Sequence, residues 1–344
     1  MKRFGAALVL LAAVSAIAAP LLAPTADVDT RYAQLNSPPT VPRLRDASGW
    51  RAPFIYPWRL VNRMEQRYEQ DQSTAVPLRW FERGQLVTSA DPAAAPLLLL
   101  GSDSLGRDVF SRLLFGARTS LGVAFVAALG AMLIGAAIGG IAGYSAGTLD
   151  DLMMRATDFV LVLPAIYVAL ALRSVLPLVL SPTTVFVLLV SIFAVVGSPF
   201  IARGVRAIVK TERALDYASA AQAIGASRTR VLVTHLMPAA RGFIGVEITL
   251  LIPAFIVAEA TLSYIGLGFP DGVATWGTML RDAATVQVFA DFPWLLSPAV
   301  AMFLVVFALN LVLERSNALV APVALRRARQ TGADAIGSTL ELNR

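Results

Sequence analysis

Asp216-Tyr-Ala-Ser-Ala-Ala-Gln-Ala-Ile-Gly225-Ala-Ser-Arg-Thr-Arg230, closed by His235-Leu-Met-Pro238, is a patterned polar interruption between two apolar runs, 185–202 and 243–265. It reads as a short Ala-rich helix, a Gly stop, a second short helix and a Pro. Each flanking run is long enough to cross a bilayer, whose hydrocarbon core of about 30 Å takes about 20 apolar residues of helix. A loop of roughly forty residues with this much internal patterning is more than a connector. It has the character of a docking surface.

Composition supports the membrane reading. Of 344 residues, 56% are hydrophobic and 15% charged, against about 45–50% and about 25% in soluble domains. The absence of cysteine excludes disulfides and thiolate metal sites, and a single histidine leaves no basis for a His-based metal cluster. The net charge of +6 does not point to nucleic acid, because the arginines gather at the ends of apolar runs, where the positive-inside rule places them.

Six runs qualify as spans: 4–23, 121–141, 152–172, 185–202, 243–265 and 294–313. Pro164, Pro199, Pro253 and Pro298 lie inside them, which membrane helices tolerate when neighbours satisfy the freed carbonyls. Gly130, Gly135, Gly139, Gly140 and Gly143 mark close backbone approach. Lys2 and Arg3 precede the first run; Arg203, Arg206, Lys210, Arg213, Arg228, Arg230 and Arg241 fill the loop after the fourth; Arg315, Arg326, Arg327 and Arg329 follow the sixth. The loops after the third and fifth runs carry only Arg173 and Arg281. This distribution puts both termini and the 203–242 loop in the cytoplasm. The long stretch from residue 24 is then external, and long loops translocate regardless of their arginines. The first run also reads as a cleavable signal peptide, which would leave five spans.

Within the external stretch, 37–42 reads as extended linker, 78–88 as a hairpin around Gly84 and 60–72 as a short helix. Trp50, Phe54, Tyr56, Trp58, Trp80 and Phe81 suffice for a small core or an interfacial belt. The segment reads as a cap on the outer helix ends, with direct substrate contact as the sharper alternative.

Three motifs, in order, resemble the second permease subunit of the dipeptide, oligopeptide and nickel importers of the ATP-binding-cassette (ABC) class. The first is Leu100-Gly-Ser-Asp-Ser-Leu-Gly-Arg-Asp-Val-Phe-Ser-Arg-Leu-Leu-Phe-Gly-Ala-Arg-Thr-Ser-Leu121, with Asp103, Gly106, Arg107, Asp108, Gly116 and Arg118 at the family positions. The second is the loop, resembling the "EAA" element, with Asp216, Ser219, Ala220, Ala221, Gly225, Ala226, Ser227 and Pro238. The third is Glu259-Ala-Thr-Leu-Ser-Tyr-Ile-Gly-Leu-Gly-Phe-Pro270 with Thr275-Trp-Gly-Thr-Met-Leu280, in which Glu259, Gly266, Gly268, Trp276 and Gly277 match. Stretches 144–150 and 158–164 fit the same pattern. Two departures stand out: Ser219 replaces the Glu that names the loop, and the segment 24–97 is longer than in typical members.

The resemblance implies an all-α integral membrane protein of the type I ABC importer permease fold, with about six transmembrane helices. It divides the chain into an N-terminal helix (1–23), an external segment (24–115), a permease core (116–315) with coupling loop 203–242, and a cytoplasmic tail (316–344). It implies a multi-pass protein of the bacterial inner membrane, surrounded by lipid, that moves peptides or related small solutes. The implied partners are a homologous permease, two ABC ATPase subunits that carry ATP and Mg, and an external solute-binding protein; neither nucleic acid nor a cofactor on this chain is expected.

Several residues have local readings of their own. Ala218, Ala220, Ala221 and Ala223 suit a low-bulk docking helix, Gly225 a left-handed stop, and Ser227 or Thr229 a cap for the second short helix. Gly204-Val-Arg-Ala-Ile-Val-Lys-Thr211 has P-loop spacing, but Val209 stands where the second Gly is needed, so the chain is read as lacking an ATPase site. Arg155 and Asp158, three apart, are expected to pair within one helix. Glu259 is expected at a polar helix interface, Glu247, Asn310 and Glu314 near inner helix ends, and His235 in packing or hydrogen bonding. A secondary transporter would want mid-bilayer ionisable pairs and repeat symmetry, neither of which is evident. A non-transporting scaffold has no use for the loop.

Overall fold

The computed structural model describes residues 2–46, 49–63, 65–82, 84–145, 147–164, 167–168, 170–171, 180–284 and 286–313. Arg173, Glu314, Arg315, Arg326, Arg327, Arg329 and the tail 316–344 lie outside them.

Four helical stretches are long and apolar enough to cross a membrane: Val109–Ser145, Pro182–Arg213, Arg228–Tyr264 and Pro293–Leu313. In chain order, α1 is Lys2–Ile17 and α2 is Ala19–Leu22; α3 is Val109–Ser145 and α4 is Thr148–Val162. α5 is Pro182–Arg213, α6 is Asp216–Ala223 and α7 is Arg241–Tyr264. α8 is Trp276–Asp282, α9 is Val286–Asp291 and α10 is Pro293–Leu313. Of the other two expected spans, the first is the 16-residue α1 plus the turn of α2, and the third is described as the 15-residue α4, with much of its remainder outside the described residues.

α3 and α5 pack closest. A Cβ on Gly135 would stand 2.5 Å from the Ser198 carbonyl oxygen, and one on Gly143 2.7 Å from that of Arg206. Small residues two turns apart thus let two backbones touch, where larger side chains would hold helix axes about 8–10 Å apart. Around this seam Val123, Ala127 and Ala131 bury against Leu189, Phe193 and Ile201. Phe193 stacks on Phe255 of α7 at 5.3 Å between ring centroids. Residues 204–211 lie within the continuous helix α5, so no phosphate-wrapping turn exists there.

Asp158 corrects one expectation. It pairs with Arg203 of α5, across helices, rather than with Arg155. Two turns nearer the start of α4, buried Asp150 takes a two-pronged pair from Arg206, at 2.5 and 2.6 Å. The carboxylates of α4 thus face the arginines of α5, and interhelical pairing outcompetes the local i,i+3 option.

The segment before α3 is largely β-structure. β1 (Arg43–Asp46), β2 (Gly49–Ile55), β5 (Val76–Glu82) and β6 (Gln85–Ser89) form an antiparallel sheet in that spatial order. The expected hairpin is present, with Trp80 opposite Val87. The expected helix over 60–72 is instead a second hairpin, β3 (Trp58–Asn62) with β4 (Arg67–Gln70), Leu60 facing Tyr68. Cross-strand pairing of aromatic and branched residues overrides the weak helix preference of Glu65-Gln66-Arg67. Residues 37–42 have no regular structure, yet they are not a free linker. The wholly buried Ser37 donates its N–H to the Ser102 hydroxyl and accepts from the Ser102 N–H.

Candidate functional site

The loop between α5 and α7 is built as a small module. α6 buries Ala218 and Ala221, one turn apart, against Val231 and Leu236. Their methyl side chains let it lie flat, and Ser219, Ala220, Gln222 and Ala223 remain on its open face. The helix ends in a full Schellman arrangement. The Ala226 N–H donates to the Ala221 carbonyl, the Gly225 N–H donates to that of Gln222, and Gly225 has φ +88°. Ser227 then caps the next turn, its Oγ accepting from the Arg230 N–H at 3.3 Å. Val231–Leu236 winds as a π-helical turn and Met237–Ala240 as a 3₁₀ turn. The wider winding falls where Pro238 has no N–H to donate. His235 contacts the Arg230 carbonyl at 3.4 Å.

The module is tied to the foot of α3. Gln222 donates to the Tyr144 hydroxyl at 3.4 Å, and Arg213 covers the Tyr144 ring at 5.2 Å while donating to its carbonyl. Outward it presents Leu215, Tyr217 and Ile224, the last 87% exposed, beside Arg228 and Arg230. An apolar side chain so exposed at a rigid turn, flanked by cations, is a docking feature.

The head of α3 is a buried ionic cluster. Arg107, wholly buried, donates through Nε to Asp103 at 2.6 Å, through Nη2 to Asp282 at 2.7 Å and through Nη1 to the Asp271 carbonyl at 3.0 Å. Arg112 lies 3.8 Å from Asp103 and 3.9 Å from Asp282, and Asp29 lies 3.6 Å from Arg107. Asp108 caps α3 by accepting from the N–H groups of Phe110 and Ser111 and from the Ser111 hydroxyl. Burial pushes the Asp108 carboxyl up to about 6 against the hydrogen bonds that pull it down. Asp282 is also raised by burial, opposed by Arg107 and Arg112. Gly106, at φ +77°, turns the chain tightly against the Tyr32 backbone.

The third motif forms a second buried hub. Glu259, wholly buried in α7, accepts from the Ser120 hydroxyl at 2.6 Å and the Ser263 hydroxyl at 2.7 Å. Ser120 in turn accepts from the Trp276 N–H at 3.2 Å, and Ser263 accepts from that of Phe269. Gly266, at φ +82°, ends α7, and Gly268 and Gly277 let the returning chain press on it. A Cβ on Gly277 would meet the Ala260 carbonyl at 2.5 Å; one on Gly116 would meet the Thr275 backbone at 3.3 Å. The interface expected for Glu259 is thus observed, joining α3, α7 and α8.

The structure therefore gathers Asp103, Arg107 and Asp108 at one site, Glu259 and Trp276 at a second, and the loop residues at a third. Arg118 is exposed on α3 and joins none of them. Sequence reasoning missed Asp29, Arg112, Ser120, Asp150 and Asp282. Arg112 and Ser120 sit inside the first motif and were within reach; Asp29 and Asp282 carry no local pattern that marks them.

Long apolar helices packed through small-residue seams, a short helix exposed between two spans, and buried polar hubs at the helix heads define a multi-pass membrane permease. The chain belongs to the family of binding-protein-dependent transport system inner membrane components, whose model matches residues 135–325. This is the permease subunit class of ABC importers. Among similar proteins is the oligopeptide transport system permease protein OppC of Bacillus subtilis, 37% identical over 213 residues, 62% of this chain and 67% of the relative. OppC of Lactococcus lactis subsp. cremoris is 33% identical over 223 residues, 64% and 74% of the two chains. The glutathione transport system permease protein GsiD of Pectobacterium atrosepticum is 36% identical over 213 residues, 62% and 68%.

Proposed function

We propose that this chain forms half of the pathway of an ATP-driven importer of di- or oligopeptides. It pairs with a homologous permease, is fed by an external solute-binding protein, and is driven by two ATPase chains that carry ATP and Mg; this chain binds no cofactor. Both termini and the 203–242 loop face the cytoplasm, as the arginine distribution argues. The peptide assignment draws on the oligopeptide and dipeptide systems named among its relatives.

The observation that carries the reading is the loop: a short helix seated on Ala218 and Ala221, stopped at Gly225 and presenting Ile224 beside Arg228 and Arg230. ATP hydrolysis moves the helices only if docking at this surface differs in free energy between the two states of the permease.

Gly225→Val tests it. No neighbouring atom lies within 4 Å of a Cβ at position 225, so the substitution acts through backbone strain alone. A β-branched residue at φ +88° costs on the order of 1–3 kcal/mol. The expected result is normal membrane insertion with weakened pull-down of the ATPase chains and a parallel fall in uptake and substrate-stimulated hydrolysis. Full partner binding and full uptake at equal subunit levels would refute the coupling role.

A further inference from the structure

A cleft of about 550 Å³ opens between the loop 24–33 and the edge of β6, lined among others by Asp27, Thr30, Arg31, Tyr32, Gln85 and Thr88. It lies away from the loop module and from the Glu259 hub, and its 24–33 wall borders the ionic cluster at the head of α3. Gln85 and Thr88 are 6% and 5% exposed, and among the described residues neither side chain has a hydrogen-bond partner within the protein. A primary amide offers two donors and an acceptor, and a hydroxyl a donor and an acceptor; neither group is sealed from solvent, so both face the cleft open to water or a ligand. Two such groups, three residues apart along β6 and both lining the open cleft, are available to a ligand with amide character. The rim supplies one charge of each sign, Asp27 and Arg31, both exposed. Arg31 is engaged only by a half-exposed pair with Asp29 at 3.5 Å, which a ligand carboxylate can displace. The Tyr32 ring and Pro92 add apolar wall.

We infer that this cleft binds short zwitterionic peptides: the backbone amides on Gln85 and Thr88, the terminal ammonium on Asp27 and the terminal carboxylate on Arg31. The volume is in the range of small-ligand pockets and accommodates a di- or tripeptide. The inference rests on the proposed peptide import and deepens it by placing a second peptide site on the permease itself. The wall formed by 24–33 is bonded to the head of α3. The Thr25 N–H donates to the Ser111 hydroxyl at 3.1 Å, the Tyr32 N–H to the Gly106 carbonyl at 2.9 Å, and Arg112 to the Val28 carbonyl at 3.4 Å. A peptide held there touches the same loop that holds the outer ionic cluster.

The test uses the assembled permease–ATPase complex in nanodiscs without its binding protein. The probes are radiolabelled trialanine, its C-terminal amide, its N-acetyl form and a diazirine-bearing tripeptide for photolabelling. The expected result is saturable trialanine binding with label on 24–33 or 85–93, weakened tenfold or more in Gln85→Leu/Thr88→Val. Arg31→Gln, at an exposed position that leaves the fold intact, should weaken trialanine severalfold and leave the amide unchanged; Asp27→Asn should do the same with respect to the acetylated form. Label confined to other segments, or binding indifferent to all four substitutions, overturns the inference. So does absence of binding in a complex that imports trialanine once its binding protein is added. Cleft labelling in a complex that imports no peptide would leave the site standing and remove the import reading instead.

Discussion

Replacing Arg107 with Met removes the centre of the ionic cluster at the head of α3. Its guanidinium makes three charge-assisted or carbonyl hydrogen bonds, at 2.6, 2.7 and 3.0 Å, from a wholly buried position. At about 1.5–3 kcal/mol for a hydrogen bond to a charged group, the gross loss is about 5–9 kcal/mol. Two features reduce it. Arg112 stays 3.8–3.9 Å from the same two carboxylates. The Asp282 carboxyl, already raised by burial, is able to take up a proton once its cation is gone. The expected net cost is about 3–5 kcal/mol, that of leaving a buried charge unpartnered, against a total stability of about 5–15 kcal/mol. The assay is equilibrium unfolding of the purified complex in mixed SDS micelles, read as folded fraction on size exclusion. Arg107→Lys should fall between wild type and Met, because an ammonium cannot serve Asp103, Asp282 and the Asp271 carbonyl as a planar fork does. Adding Asp282→Asn to Arg107→Met should recover at least about 1 kcal/mol, since it removes the stranded charge. A Met variant within about 0.5 kcal/mol of wild type, the range of ordinary surface substitutions, would refute the view that this cluster holds the head of α3.

The geometry fixes three further outcomes. Gly277→Ala places a methyl group 2.5 Å from the Ala260 carbonyl oxygen and 2.7 Å from Ser263 Cβ, and should lower folded stability by about 1–3 kcal/mol in the same unfolding assay. Asp158→Ala breaks a pair whose side chains are both about half exposed, so its cost should be no more than about 1 kcal/mol, with folded yield close to wild type. Asp108 has a carboxyl raised to about 6; its stabilising protonated form is complete below about pH 4 and is lost as pH rises through about 6. The complex should therefore lose stability between about pH 4.5 and about pH 7, by up to about 3 kcal/mol from this group, and Asp108→Asn should flatten that slope.

Much of this arrangement is legible in the sequence because the residues concerned act locally. Gly225 reads as a left-handed stop because an Ala-rich helix precedes it and a capping Ser comes two residues later, and the Schellman bonds close within the same short stretch. The Gly130–Gly143 series reads as close approach because small residues at helical spacing leave few alternatives. The illegible part depends on partners distant in sequence. Asp158 has one cation three residues away and another forty-five away, and only the packing of α4 on α5 decides for Arg203. Asp29 and Asp282 enter the ionic cluster from distant parts of the chain, and neither carries a local mark. The stretch 60–72 mixes helix-forming charges with strand-forming Leu60 and Tyr68, and its answer comes from pairing across a turn. The cleft residues Gln85 and Thr88 look like ordinary strand positions; their distinction is that they line a cleft formed with the distant loop 24–33, which only the fold reveals.

These separate sites share one mechanical element. α3 runs unbroken over 37 residues, about 55 Å at about 1.5 Å per residue, longer than the hydrocarbon core. Its head is fixed by Arg107 to α8 and by Ser111 and Arg112 to the loop 24–33. Its middle is fixed by Ser120 to Glu259 and Trp276. Its foot is fixed by Tyr144 to Arg213 and Gln222, the last within α6. A helix anchored at three levels and packed backbone to backbone on α5 cannot bend locally without breaking the buried polar contacts of its head and middle or the exposed ones of its foot. A displacement imposed on α6 is, on the proposed reading, carried to the head of α3 as rigid-body rocking of α3 with α5. On the proposed reading, force from the ATPases and occupancy of the outer segment bias the same two-state element, and by linkage each must alter the free energy of the other. Substitutions that loosen the Tyr144 anchor should accordingly uncouple hydrolysis from uptake while leaving both the loop surface and the outer segment folded.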